Sequence, residues 1–210
     1  MIDKEKSIVL GITGASGTVY GLRLLQYLIE AKHRVDVVFS DNALKVAKLE
    51  LEHDWESLNT QALKNAVLDY LITDNSVDEE QRRKINFWHE SNIAASIASG
   101  SYRVQGMIVS PCSVGTLAHI AAGTSHNLIS RAADVMLKER KKLILVVRET
   151  PFSSIHLRNM LSLSDSGAII LPAIPAFYHR PHSIEDQIDF ITGKTLDSFG
   201  IDADLFRRWR

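Results

Sequence analysis

Apolar residues come along this chain in short unbroken runs, separated by stretches in which they recur every three or four positions. The run SIVLGI at Ser7–Ile12 has the length and branching of a buried strand. It stops at Thr13-Gly14-Ala15-Ser16-Gly17, and helical spacing takes over at 20–29. RVDVVF at 34–39 predicts a second strand and 43–51 a helix, capped by Asp41 or Asn42. Residues 54–86 are polar and mixed in charge, with a faint helical period over 58–71, so a helical excursion is expected there. A short strand follows at 85–88, then a loop of small residues at 92–101. GMIVS at 106–110 reads as a strand halted by Pro111, with a small-residue helix over 113–122. A strong helix at 127–141, the strand LILVV at 143–147, a helix at 153–165, a strand at 168–171 and a helix at 183–199 complete the series.

Strands that are apolar throughout, rather than at alternate positions, are buried on both faces, and their exchange with helices implies a parallel sheet. The expectation is an α/β fold, a flavodoxin-like or Rossmann-like three-layer sandwich with a central parallel sheet, in one domain over 1–210. Ligands in such folds lie beyond the carboxyl ends of the strands. That singles out 13–17, Ser40, 111–116, Arg148-Glu149 and 172–178.

Glycines at 11, 14 and 17 depart from the G-x-G-x-x-G dinucleotide spacing, which weakens a nicotinamide reading. Small residues still admit a phosphate beside the free N–H groups of the next helix, with the Ser16 hydroxyl as a further donor. A tight turn without ligand suits this segment equally well when it is taken alone. Pro111-Cys112-Ser113-Val114-Gly115-Thr116 repeats the design at a second strand end. Cys112 reads as a small apolar residue beside a strand rather than as a nucleophile. Arg148 suits a bidentate phosphate contact, and Glu149 could orient it or move a proton; a surface ion pair is the plainer alternative. The loop PAFYHRP at 175–181 joins two aromatic rings, an imidazole and a guanidinium, which suits an apolar substrate with an anionic head.

With 24 Lys and Arg against 25 Asp and Glu, the net charge of -1 gives no field to draw nucleic acid or an anionic membrane. Any anion must be held by local groups. A single cysteine excludes an internal disulfide, and no His/Cys cluster has metal-ligand spacing. No apolar run approaches the ~20 residues of a membrane span, and the charged start at 1–6 lacks a signal-peptide core. A cytoplasmic protein is expected.

Taken together, several blocks resemble one known family, in order and over nearly the whole chain. They are TGASG with Tyr20-Gly21-x-Arg23-Leu24-Leu25, ASGS at 98–101, PCSVGT, Arg131-Ala132-Ala133-Asp134-Val135 with Leu137-Lys138-Glu139-Arg140, Arg148-Glu149-Thr150-Pro151, and PAFYHRP. They are similar to the flavin prenyltransferases of the UbiX type. The resemblance implies a homo-oligomer, a dodecamer, with FMN bound between subunits and no metal. It implies transfer of a dimethylallyl group from dimethylallyl monophosphate to N5 of reduced FMN, then ring closure onto C6. The prenylated FMN would serve a UbiD-type decarboxylase, in ubiquinone biosynthesis. FMN contacts fall on Gly14, Ala15, Ser16, Ser40, Ser113, Val114, Gly115, Thr116 and Arg148. Donor binding falls on Tyr178 and Lys194, with Lys138, Arg131 and Ser99 nearby, and proton handling on Ser16, Glu50 and Glu149. Lys194 stands where many relatives carry arginine and offers a point charge in place of a fork.

Two other functions fit parts of the same pattern. A flavin-dependent decarboxylase of the phosphopantothenoylcysteine type shares the fold, but Tyr102-Arg103 and Ser113-Val114-Gly115-Thr116 stand where it carries a catalytic histidine and an asparagine. A non-catalytic FMN carrier would have no need for Arg148, Glu149, Tyr178 and Lys194 to converge.

Overall fold

The computed structural model describes residues 6–72 and 77–209. The expected charged start, Lys6 apart, and residues 73–76 of the polar excursion lie outside them.

Six strands form one parallel sheet: β1 (Ser7–Ile12), β2 (Val35–Phe39), β3 (Ile85–His89), β4 (Val104–Cys112), β5 (Lys142–Val147) and β6 (Ile169–Pro172), in the order β3-β2-β1-β4-β5-β6. This is the strand order of a Rossmann-type doubly wound sheet, which reverses direction between β1 and β4. Eight α-helices lie among the described residues: α1 (Thr18–Glu30), α2 (Asp41–Leu51), α3 (Thr60–Leu71), α4 (Glu79–Arg83), α5 (Val114–Ala121), α6 (Leu128–Lys138), α7 (Ser154–Asp165) and α8 (Ile184–Phe199).

The alternation of side chains along each strand sorts the core into two layers. Ile8, Leu10 and Ile12 of β1, with Ile108, Ile144 and Val146, pack against α1, α3 and α8. Val9, Met107, Val109, Leu143 and Leu145 face the other way, onto Leu117 of α5, Leu128 and Ile129 of α6 and Leu163 of α7. Each fully buried aliphatic side chain contributes about 1.5–3 kcal/mol, more than any single cap or turn contact, so these layers hold the strand ends in place.

Local details correct the sequence reading at three points. Ser40 caps α2, not Asp41 or Asn42: its backbone is extended and its Oγ accepts from Ala43 N at 3.1 Å. β4 does not halt at Pro111 but runs on to Cys112, past a bulge against β5 between Val109 and Cys112. A bulge is one of the few strand positions where a residue without an N–H is tolerated. The helix expected over 127–141 closes at Lys138, with Asn127 as its cap. The faint period over 58–71 proves to be α3, capped by Asn59, and the loop at 92–101 holds one 3-10 turn, Ser96–Ala98.

Candidate functional site

The strand ends at the reversal between β1 and β4 open onto a cleft of about 200 Å³, lined by Gly14, Ser40 and Asn42 on one side, by Ser113, Gly115, Thr116 and His119 on another, and by Glu90, His126, Asn127 and Ser130. Gly14 is required by packing: a Cβ there would lie 2.5 Å from Asn42 Cβ, inside any real contact. The glycine lets the first turn sit directly on α2.

The N-termini of α2, α5 and α6 line the cleft and that of α1 follows its first turn, each a region of free N–H groups and positive potential. Protein groups close three of them. At α1, Gly17 holds φ +99, and its N–H donates to both oxygens of Glu50 at 2.8 and 3.0 Å while Thr18 N–H donates at 3.0 Å. At α2, Asp41 N–H donates to Glu90 Oε1 at 2.8 Å, and the other Glu90 oxygen takes the Asn127 side-chain amide. At α6, Asn127 and Ser130 form a reciprocal capping box. α5 differs. Its cap Ser113 takes Thr116 N–H at 3.2 Å, and no protein carboxylate among the described residues meets the Val114 and Gly115 amides. A Cβ at Gly115 would find nothing nearer than 3.9 Å. Thr13 fixes this opening by accepting from Ser113 N at 2.8 Å and donating to Pro111 O at 2.8 Å. The donor set fits a phosphate.

Arg148, just past β5, donates from Nε to Ser16 O at 2.9 Å and so braces the first turn. Glu149 does not pair with it; its Oε1 accepts from Thr150 N at 3.0 Å. Burial works against ionisation of Glu50, but bonds from the Ser16 hydroxyl and the Gly17 and Thr18 amides outweigh it and hold the carboxyl below its ordinary range. Burial pushes the Cys112 thiol up to about 12, and the side chain is wholly enclosed, so it has no thiolate to offer.

A second group of residues gathers around α8. The Tyr178 ring stands edge-on to Phe190 at 5.9 Å and to Trp209 at 5.3 Å, while His179 stacks on Phe190 at 5.0 Å. Lys194 is exposed one turn beyond Phe190 on α8, beside Gly193, which Phe206 covers. A third group lies along α6: Arg131 donates to Ala98 O at 3.2 Å and pairs with Asp134, Lys138 pairs with Glu139, and Ser99 bonds Ser101 at 2.9 Å.

A family model described as Flavoprotein matches residues 1–196. The flavin prenyltransferase UbiX of Alkalihalophilus pseudofirmus is 46% identical over 205 residues, 98% of this chain and 96% of that protein. The chain belongs to the UbiX family of flavin prenyltransferases. Solved structures agree: a UbiX (PadA1) in complex with FMN and dimethylallyl pyrophosphate superposes with a TM-score of 0.81 at 40% identity, covering 98% and 97% of the two chains. A dodecameric FMN-dependent Ubix-like decarboxylase from Escherichia coli O157:H7 gives 0.80 at 38%, covering 97% and 99%.

Within one subunit of this prenyltransferase, the residues expected to hold the flavin do share one strand-end region: Gly14, Ser40, Ser113, Gly115 and Thr116 line the cleft, and Ser16, Glu50 and Arg148 are bonded into the adjoining turn. Tyr178 packs on Phe190 of α8, and Lys194 follows Phe190 by one turn. Ser99, Arg131 and Lys138 form their own group, and Lys138 lies at the end of α6 away from the cleft. Sequence reasoning missed Asn42 as a wall of the cleft, and Glu90, His119, His126 and Ser130 altogether. A signal existed for Ser130, which stands three residues after Asn127 at the start of a predicted helix. Among the described residues no three His, Cys, Asp or Glu side chains gather at metal-holding distance, and no helix is long and apolar enough to cross a membrane.

Proposed function

We propose that this chain transfers the dimethylallyl group of dimethylallyl monophosphate to reduced FMN held at the β1/β4 cleft, giving prenylated FMN and phosphate. The observation that carries this is the α5 N-terminus, left open for an anion where neighbouring helix ends are closed by Glu50 and Glu90. Gly14, Ala15, Ser16, Ser40, Ser113, Val114, Gly115, Thr116 and Arg148 would hold the flavin. When bound in its reduced form the flavin supplies the nucleophilic ring atoms, N5 and then C6.

The chain's own residues do the rest. Ser16, hydrogen-bonded to ionised Glu50, is placed to pass a proton to that carboxylate. Glu149 stands beside Arg148 as a second proton acceptor. Tyr178 and Lys194 bind the donor's phosphate and stabilise the charge that grows on it as its bond to carbon opens. Ser99, Arg131 and Lys138 would act on a neighbouring subunit's site in a homo-oligomer, a dodecamer like the Escherichia coli relative. The product would pass to a UbiD-type decarboxylase, in ubiquinone biosynthesis.

The test is anaerobic incubation with reduced FMN and dimethylallyl monophosphate, without added metal, followed by mass spectrometry of the bound flavin. A flavin heavier by one five-carbon unit, lost in Glu149→Gln or Lys194→Ala, is expected. Unmodified FMN on a folded, flavin-loaded protein would refute the reading and favour a carrier or decarboxylase.

A further inference from the structure

His119 and His126 line the cleft but neither closes a helix end nor belongs to the residues assigned to the flavin and the donor. His119 follows Gly115 by one helical turn on α5, so both lie on the face that looks onto the cleft. Its ring stacks on His126, with centroids 4.4 Å apart and planes inclined by 5°. His126 immediately precedes Asn127, the cap of α6. The pair therefore joins the last turn of α5, on the face it shares with Gly115, to the capped end of α6.

Thr124 engages one of the two ring nitrogens of His119. The Thr124 hydroxyl has one proton and donates it to the His119 carbonyl at 3.1 Å. Thr124 Oγ1 also lies 3.0 Å from His119 Nδ1, a bond whose direction depends on the tautomer. That leaves Nε2 as the ring's remaining polar atom, without a protein partner among the described residues. Glu90 is the carboxylate in the same lining, and both its oxygens are engaged, one by Asp41 N–H and one by the Asn127 amide. It does not compete for the imidazoles.

We propose that His119 and His126 bind the phosphate end of the flavin mononucleotide, with one proton shared between His119 Nε2 and a phosphate oxygen. This rests on the reading of the cleft as the flavin site. Neutral imidazole with monoanionic phosphate and imidazolium with dianionic phosphate are the same stoichiometry, so the bond forms whichever partner brings the proton. Parallel stacked rings disfavour two full positive charges, which suits a pair that holds one proton against an anion.

The experiment strips the flavin from the whole protein and titrates FMN and riboflavin, which lacks the phosphate, into the parent, His119→Ala, His126→Ala and His119→Gln, following flavin fluorescence. FMN affinity should fall about tenfold in each alanine variant, as expected for a lost bond to a charged group. Riboflavin affinity should not change, and His119→Gln, which keeps a donor, should recover part of the loss. Equal losses for both flavins would make the pair structural, and no loss for either would make it idle; both results overturn the proposal. A parent that binds neither flavin would instead overturn the flavin reading of the cleft itself.

Discussion

Glu50 occupies the position at α1 where a phosphate would be expected in a doubly wound fold, and its ionised state follows from that placement. Because its folded pKa lies below the ordinary carboxylate value, its stabilising contacts are complete above that value and are lost as pH falls through the lower, folded one. Glu50→Gln should therefore cost about 1 kcal/mol at neutral pH, as loss of a helix-end carboxylate does. The gap from the parent should narrow toward acid, which urea unfolding at pH 7 and at about pH 4 would measure. If the gap were the same at both, ionised Glu50 would not be holding α1. Cys112 makes the opposite case. Its thiol is enclosed and uncharged, so Cys112→Ala should keep prenyl transfer near the parent rate and register only as a modest drop in unfolding temperature. Loss of turnover in a folded Cys112→Ala protein would reinstate it as a nucleophile.

Between elements, the contact of the first turn with α2 shapes the cleft. Gly14→Ala would drive a Cβ into Asn42 Cβ and to within 3.1 Å of its carbonyl carbon, so α2 must shift and carry the Ser40 wall with it. Flavin occupancy and unfolding temperature should both fall. Adding Asn42→Gly should restore part of each, since it removes the nearer clash and leaves the backbone one; no recovery would mean that the turn fails for another reason. The strand ends were legible in the sequence because strands buried on both faces are continuously apolar and break off at small or hydroxyl residues, as at Thr13, Ser40 and Ser113. The closure of the helix N-termini was not. Glu90 reaches across 49 residues to Asp41 and across 37 to Asn127, and no local pattern encodes such a bond. The same limit hid the continuation of β4 beyond Pro111, where a long-range bond from Thr13 N to Pro111 O replaces local preference. Asn59, by contrast, declares the start of α3 locally, though the sparse apolar pattern behind it is faint.

At the scale of the whole molecule, one chain does not bring all of the expected residues to one place. Helix α6 has 11 residues, which at about 1.5 Å each puts Lys138 about 16 Å along the axis from the end that lines the cleft. A Cβ at Gly100 would press on Glu139 Oε1 and Lys138 Nζ, so the loop that leaves Ala98, bonded to Arg131 in the first turn of α6, runs along the helix to that distant end. Lys138 at that end is placed to serve a neighbour's site, and a closed symmetric assembly repeats the pairing at every interface. The consequence is complementation. Ser16→Ala, altered in the cleft, and Lys138→Ala, altered in the α6 group, should each be inactive alone. Co-expressed at equal levels they should recover about a quarter of the parent activity, because one site in four then joins an intact cleft to an intact α6 group by random mixing. Activity of the purified mixed oligomer measures this directly. No recovery in a verified mixed assembly would place Ser16 and Lys138 at the same subunit's site, which the length of α6 opposes.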